Sequence, residues 1–184
     1  MISLNKITTD WTLFLDRDGV INHEDHRTYI NFWKDFKFYE GVMEAFEIFS
    51  RKFKRIIIVT NQRGVGKGIT NEKELHRIHE NMQREIIKYN GRVDAVYYCS
   101  DIGDTGLRRK PNPGMGFEAL KNFPDIDITK AIMVGNTLSD MHFGRNLGTQ
   151  TVFLPTTRLE ETDLNDPAID AVYPSLIAFA QALV

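Results

Sequence analysis

The sequence predicts an α/β fold: a three-layer, doubly wound parallel sheet with helices on both faces and a minimal cap. Three observations predict it. Short apolar and β-branched runs recur along the chain, segments with helical apolar spacing separate them, and most connections are short. Such alternation produces parallel strands joined by right-handed crossovers, with both faces of the sheet covered. With 184 residues, we expect one domain, 1–184.

Each element has its own signal in the sequence. The first strand, 12–16 (TLFLD), is an apolar run that ends on an acid and enters the turn RDG. Residues 41–53 have helical apolar spacing, and 55–60 (RIIIVT) is a β-branched strand. Asn71 is a plausible N-cap, with Glu74 at N3, for a helix that runs towards residue 90. The remaining predictions are strands at 95–99, 130–135 and 151–154 and helices at 114–122 and 138–147.

Composition excludes several classes of function. The net charge of −2 and the pI of about 6.2 attract neither nucleic acid nor a membrane surface. The single cysteine, Cys99, excludes an internal disulfide and leaves a zinc site without its usual thiolates. No apolar run approaches the roughly 18 residues of a spanning helix. We expect a cytoplasmic monomer that acts on a small molecule.

One segment, 22–40, stands outside the alternation of strands and helices. It is rich in aromatic and charged residues, and we predict a flap over the carboxyl edge of the sheet, with its aromatic side chains packed on the core. His23 and His26 lie on it, and they could touch substrate or simply occupy a loop. A second histidine pair, His76 and His79, lacks a third metal ligand, so we predict exposed helix residues.

The first cluster with possible chemistry is Asp16 and Asp18, directly after the first strand. An extended backbone aims these two carboxylates to the same side, where their like charges need a cation such as Mg²⁺. One carboxylate can attack phosphorus, while the other protonates the leaving oxygen and later activates water. Taken alone, the same residues could form an acidic turn.

Three further clusters follow predicted strands. Residues 60–68 (TNQRGVGKG) offer a hydroxyl, amides and a glycine-rich turn to phosphate oxygens, but Asn61 and Gly68 break the Walker A pattern. RRKPNP at 108–113 places cations on a stiff turn, and GNTLSD at 135–140 offers an amide oxygen and a carboxylate. A flexible loop, a basic turn or a helix cap would explain each alone. Together they predict a phosphate site at the strand ends.

The motifs DRDGV, IIIVTN, RRKPNP and VGNTLSD resemble, in this order, those of the haloacid dehalogenase superfamily. More narrowly, DRDGVIN, VTNQRGVGKG, VYYC, RKPNPGM and LSDM resemble the histidinol-phosphate and heptose-bisphosphate phosphatase group, over nearly the whole chain. The resemblance implies a nucleophile at Asp16, a general acid/base at Asp18, phosphate contacts from Thr60 and Asn61, charge balance from Lys110, substrate contacts from Gln62, Arg63 and Arg109, and Mg²⁺ on Asp16, the Asp18 carbonyl, Asn136 and Asp140.

Two departures from the group qualify that resemblance. Asn136 stands where the family usually has Asp, which should weaken metal binding by about tenfold to a hundredfold. The zinc loop that many relatives carry before RKP is reduced to CSDIGDTGLR, in which Cys99 is the sole cysteine. We therefore predict no zinc and a shortened substrate loop.

The predicted function is that of a magnesium-dependent phosphomonoesterase that forms an aspartyl-phosphate on Asp16. The resemblance favours a small sugar phosphate such as D-glycero-D-manno-heptose 1,7-bisphosphate. Histidinol-phosphate phosphatase remains an alternative, and so does a weakened protein that binds a phosphorylated ligand without turnover, because of Asn136. The acidic pI argues against a polynucleotide 3′-phosphatase.

Overall fold

The computed structural model describes residues 4–24, 29–103, 105–157 and 159–184. Their centre is a parallel sheet of six strands in the order β3-β2-β1-β4-β5-β6. The strands are β1 (Thr12–Leu15), β2 (Arg55–Asn61), β3 (Ala95–Cys99), β4 (Ala131–Gly135), β5 (Gln150–Phe153) and β6 (Ala171–Val172).

The helices cover both faces of this sheet. They are α1 (Val42–Lys52), α2 (Arg63–Gly66), α3 (Glu72–Lys88), α4 (Gly114–Asn122), α5 (Leu138–Leu147) and α6 (Leu176–Gln181). Because side chains alternate along a strand, Leu13 and Leu15 pack on the face that α1, α3 and α6 cover. Phe14 points to the other face, against α4 and α5. The predicted three-layer α/β class is therefore confirmed.

The strand order fixes where a site can form. From β1 the chain winds outward through β2 to β3, then returns to the other side of β1 with β4 and continues to β6. The crevice at such a switch point, beyond the carboxyl ends of the strands, is the usual ligand site of open α/β sheets. Asp16 follows β1 at this point, and its N–H donates to the Val134 carbonyl of β4 at 3.0 Å.

The predicted strands and long helices are confirmed, with bounds shifted by a residue or two. β6 and α6 were not predicted. β6 has two residues, too few for a recognisable apolar run, and α6 has six, too few for a clear helical pattern. The short helix α2 was predicted as part of a glycine-rich turn. Among the helices of the described residues, none is both long enough and apolar enough to cross a membrane. The single-domain boundary 1–184 stays a prediction.

The two ends of the 22–40 segment lie side by side and are joined by backbone hydrogen bonds. Asn22 forms bridges with Asp18 and Phe38, and the His23 N–H donates to the Lys37 carbonyl at 2.8 Å. Phe36 is buried, and Trp33 and Phe38 pack beside it, as predicted. Phe32 does not follow the prediction, because its side chain is 50% exposed. The His23 ring packs against the Tyr39 ring in a tilted arrangement, at 3.9 Å between centroids and 37° between planes. His26 lies outside the described residues.

Candidate active site

A cavity of about 460 Å³ opens at the carboxyl ends of β1, β2 and β4. Every site residue that the sequence predicted lines it: Asp16, Asp18, Thr60, Asn61, Gln62, Arg63, Arg109, Lys110, Asn136 and Asp140. The sequence reading did not select the other lining residues, which are Arg17, Glu24, Tyr29, Ile30, Thr137 and Ser139. Three of these, Glu24, Tyr29 and Ile30, come from the 22–40 segment, so part of that segment borders the cavity.

A buried lysine joins two carboxylates at the floor of the cavity. The Lys110 Nζ lies 2.9 Å from Asp16 Oδ1 and 2.7 Å from Asp140 Oδ1. It also donates to the Val59 carbonyl at 2.8 Å. Asp16 Oδ1 accepts a further hydrogen bond, at 2.7 Å, from the Arg17 N–H. The Lys110 ammonium therefore lies between two carboxylates, and its charge-balancing role in the reaction stays a prediction.

Burial and neighbouring charge set the protonation of this group. Burial and the Asp140 carboxylate raise the pKa of Asp16 to about 7, although Lys110 opposes the shift. Burial works against the charge of Lys110, but Asp140 and Asp16 outweigh it and raise the Lys110 pKa above its usual 10.5. One ammonium group thus faces two carboxylates. The arrangement favours a further cation beside Asp16.

Asp18 has a different set of partners. Arg17 donates to it through Nη2, at 2.8 Å to Oδ1 and 2.9 Å to Oδ2, and through Nε, at 3.1 Å to Oδ1. Asn22 Nδ2 donates to Oδ1 at 2.9 Å, and Gln62 Nε2 donates to Oδ2 at 2.7 Å. Burial disfavours the Asp18 charge, yet Arg17 and these amides outweigh burial and lower the pKa of Asp18 below 3.8. Asp18 is therefore held as a carboxylate.

The end of β2 contributes amides that join parts of the site to each other. Asn61 Nδ2 donates to the Lys110 carbonyl at 3.1 Å, and Asn61 Oδ1 accepts from the Lys110 N–H at 3.1 Å. Gln62 Nε2 donates to Thr60 Oγ1 at 3.0 Å as well as to Asp18. The Asn61 amide, predicted to contact phosphate, thus holds the backbone that carries Lys110. Arg109 donates to the Asp101 carbonyl at 3.3 Å.

Asn136 provides the oxygen that a cation could use. Its side chain is fully buried, and Nδ2 donates to Thr157 Oγ1. Among the described residues, Asn136 Oδ1 has no hydrogen-bond partner. Gly19, in the left-handed region at φ +79, packs so closely that a Cβ there would lie 2.0 Å from Asn136 Nδ2. A buried amide oxygen without a hydrogen-bond partner, on the cavity that Asp16 also lines, fits a hard cation such as Mg²⁺.

Asp140 fixes the residue that follows β4. Its Oδ2 accepts from the backbone N–H groups of Asn136 at 3.2 Å and Thr137 at 3.0 Å, and from Thr137 Oγ1 at 2.7 Å. Thr137 and Asp140 form the capping box that begins α5. Over the residues that can be described, no group of three or more His, Cys, Asp or Glu side chains is placed to hold a metal. A cation would therefore need the Asn136 oxygen and a backbone carbonyl.

Comparison with known proteins gives the family. The chain is 34% identical to the D-glycero-alpha-D-manno-heptose-1,7-bisphosphate 7-phosphatase of Campylobacter jejuni over 151 residues, 82% of this chain and 86% of the relative. It is 33% identical to the D-glycero-beta-D-manno-heptose-1,7-bisphosphate 7-phosphatase of Vibrio cholerae, over 89% and 91% of the two chains. The HAD-hydrolase-like family model matches residues 107–179. This chain is a phosphatase of the haloacid dehalogenase superfamily.

A solved structure supports the same conclusion for this phosphatase. The D,D-heptose 1,7-bisphosphate phosphatase of B. bronchiseptica, complexed with magnesium and phosphate, superposes with a TM-score of 0.84 at 25% identity, covering 94% of this chain and 97% of that one. The predicted membership in the histidinol-phosphate and heptose-bisphosphate phosphatase group is thus confirmed.

The exposure predicted for one histidine of this phosphatase is wrong. His79 is buried rather than exposed, whereas His76 is exposed as predicted. His79 Nε2 lies 2.9 Å from Arg17 Nη1. The sequence did contain a signal, because position 79 falls on the apolar face of α3 between Leu75 and Met82. No comparable pattern predicted the burial of Arg17, because a position between Asp16 and Asp18 is equally typical of a turn.

Proposed function

We propose that this phosphatase hydrolyses D-glycero-D-manno-heptose 1,7-bisphosphate through an aspartyl-phosphate on Asp16. The observation that carries the proposal is the contrast between two carboxylates on one cavity. Asp16 Oδ1 lies 2.9 Å from the buried Lys110 ammonium, and Asp18 is held separately by Arg17 and two amides. Two carboxylates with different partners can divide the roles of nucleophile and acid/base.

In the first step, an Asp16 oxygen attacks phosphorus and the bond to the leaving oxygen breaks. Asp18 supplies the proton to that oxygen, which requires its carboxyl group to be protonated against the hydrogen bonds that favour the charged form. In the second step, Asp18 accepts a proton from water, whose oxygen attacks phosphorus and breaks the bond to Asp16. Lys110 balances the charge of Asp16 and Asp140 throughout.

Magnesium is the cofactor that we propose. The residues that would hold it are Asp16, the Asp18 carbonyl, Asn136 and Asp140, and the unpartnered Asn136 oxygen fits that role. Bound there, the ion supplies electrostatic stabilisation of the phosphoryl oxygens. The B. bronchiseptica relative was crystallised with magnesium and phosphate. That zinc plays no part remains a prediction, based on the reduced loop around Cys99.

The substrate assignment is supported by the names of the relatives and by the charge of the cavity. The Campylobacter relative is named for the alpha anomer and the Vibrio relative for the beta anomer. Arg63 and Arg109 line the cavity together with Glu24, so it offers guanidinium groups for a second phosphate and a carboxylate for sugar hydroxyls. We propose that Thr60 and the Gln62 and Arg63 side chains meet the substrate, and that the 22–40 segment serves as the cap.

Phosphate release with magnesium titrated tests the proposal. The panel contains both anomers of the heptose bisphosphate, histidinol phosphate and simple sugar phosphates, with Asp16→Asn as the inactive reference. We expect the highest kcat/KM for one heptose anomer. A higher value for histidinol phosphate would overturn the substrate, and equal turnover by Asp16→Asn would overturn the nucleophile.

One observation favours a second candidate function. Asn136 is neutral where an Asp would bring charge to the metal, which would suit a protein that binds a phosphorylated ligand without turnover. In that case the wild type would bind the heptose bisphosphate and release no phosphate, and Asn136→Asp would gain turnover. A small phosphorylated metabolite is the partner in both cases. The cytoplasmic location and the monomeric state remain predictions.

A further inference from the structure

We propose that His79 is a positioning residue for the second half of the reaction, acting through Arg17 on the Asp18 carboxylate. The proposal rests on the proposed function, in which Asp18 activates the water that hydrolyses the aspartyl-phosphate. His79 lies 62 positions along the chain from Arg17, on α3. Among the described residues its ring is hydrogen-bonded to the Arg17 guanidinium, with no hydrogen bond to Asp18. The chain of contact therefore runs from His79 to Arg17 and from Arg17 to Asp18.

The Arg17 side chain is buried on all sides. It is 1% exposed, and its Nε and Nη2 are committed to Asp18. In the described part of the chain, the hydrogen-bond partner of Nη1 is His79 Nε2, at 2.9 Å. The Arg17 guanidinium carbon also lies 5.9 Å from the centre of the Phe36 ring. The buried guanidinium is thus held at all three of its nitrogens, so Arg17 presents an oriented fork to Asp18.

The contact also defines the state of His79. A guanidinium only donates, so Nε2 must accept, and the proton of the neutral imidazole sits on Nδ1. Burial, followed by the positive charge of Arg17, lowers the pKa of His79 to about 3, which agrees with a neutral acceptor. Without an acceptor at this position, the Nη1 donor would be buried and unsatisfied, and the guanidinium would turn to find another partner.

Rotation of the Arg17 guanidinium would change the orientation of the Asp18 carboxylate. Two of its partners, Asn22 and Gln62, would remain, but the two-point contact with Arg17 sets the plane of the carboxylate. A general base must lie within hydrogen-bond reach of the water proton, so small rotations slow proton transfer. The effect should fall on the step in which Asp18 acts as base.

The test separates the two halves of the reaction with p-nitrophenyl phosphate. Its phenolate leaves without a proton from an acid, so formation of the aspartyl-phosphate does not depend on Asp18. Rapid mixing and acid quenching then give separate rate constants for formation and decay of the phosphoenzyme. The variants are His79→Met, which fills the space with a poor acceptor, and His79→Gln, which keeps an oxygen acceptor of similar reach.

We expect His79→Met to slow decay of the phosphoenzyme on the order of tenfold while formation is unchanged. His79→Gln should restore most of the decay rate, and His76→Ala, on the exposed side of the same helix, should match the wild type. Equal decay rates in the Met and Gln variants would overturn the proposal, and so would a fall in formation rate equal to the fall in decay rate. Thermal unfolding identifies a variant that fails to fold.

The variant Asp18→Asn distinguishes failure of the inference about His79 from failure of the proposed function. If Asp18→Asn forms a phosphoenzyme that persists while His79→Met behaves as wild type, the inference about His79 is wrong and the role of Asp18 stands. If Asp18→Asn decays at the wild-type rate, the proposed role of Asp18 is wrong, and the positioning role of His79 falls with it.

Discussion

Asp16 and Asp18 are two residues apart, yet the protein surrounds them in opposite ways. Asp16 shares the Lys110 ammonium with another carboxylate, and its pKa is raised to about 7. Asp18 holds a guanidinium and two amides of its own, and its pKa is lowered. Lys110, Asp140 and Gln62 come from distant parts of the chain, whereas Arg17 and Asn22 belong to the same segment as the two acids. The difference teaches that a short acidic motif does not assign chemical roles, and that the neighbours brought by the fold do so.

The largest expected effect comes from removing the charge of Asp16. Asp16→Asn removes the proposed nucleophile while keeping shape, so kcat should fall by at least about a thousandfold. Steady-state phosphate release measures it, with acid-quenched phosphoenzyme as the second readout. Stable phosphoenzyme in this variant would show that another residue carries the phosphoryl group.

Asp18→Asn should cost less, because general acid/base catalysis contributes about 10² to 10⁴ in rate. The loss should be larger for a sugar phosphate than for p-nitrophenyl phosphate when kcat/KM is compared, since the aryl leaving group needs no proton. The measurement therefore compares the loss of kcat/KM caused by Asp18→Asn with the loss caused by Asp16→Asn. Losses of the same size for both substrates would remove the distinction between the two carboxylates.

Asn136→Asp tests the surroundings of Asp16 by adding a negative charge at the proposed metal site. Thr157 can accommodate the change, because its hydroxyl can donate to the new carboxylate where it now accepts from Asn136 Nδ2. We expect the magnesium concentration for half-maximal activity to fall about tenfold to a hundredfold. Magnesium titration of phosphate release measures it, and an unchanged midpoint would show that residue 136 does not contact the ion.

Asn61→Ala tests whether Lys110 depends on its backbone support. Two hydrogen bonds at 3.1 Å would be lost, so Lys110 should shift from Asp16, and formation of the phosphoenzyme should slow by about tenfold. Asn146→Ala is the control, because Asn146 donates to the Pro111 carbonyl of the same loop at 2.9 Å and, among the described residues, is not hydrogen-bonded to Lys110. Equal behaviour of the two variants would contradict a specific role for Asn61.

The smallest effect concerns stability around Asp18. His79 is neutral in the fold, with a pKa of about 3 set by burial, Arg17, Asp18 and His76, against 6.5 when unfolded. Below pH 6.5 the unfolded chain binds a proton that the folded chain does not, so stability falls as pH falls. Between pH 7 and 5 the loss should be about 2 kcal/mol. Denaturant unfolding of wild type and His79→Gln checks it, since the Gln variant should lack this part of the pH dependence.

The sequence predicted the sheet, its main helices and the cavity residues because each depends on local patterns. Apolar runs located the strands, and the polar residues after them had to converge at the switch point. It could not predict which partners meet across the cavity. The burial of His79 against Arg17 and the use of the Asn61 amide on Lys110 join residues 62 and 49 positions apart, and they depend on how α3 and the loop before α4 pack.

The contact between Gly19 and Asn136 limits how this site can be redesigned. Position 136 can exchange Asn for Asp with hardly any change in shape, so it is the place to adjust the proposed metal affinity. Position 19 allows no such freedom, because any side chain would meet Asn136 Nδ2 at 2.0 Å and the backbone already lies at φ +79. Directed evolution of a new metal preference should therefore vary residue 136 and keep glycine at 19, and libraries randomised at both positions should return glycine at 19 in their active members.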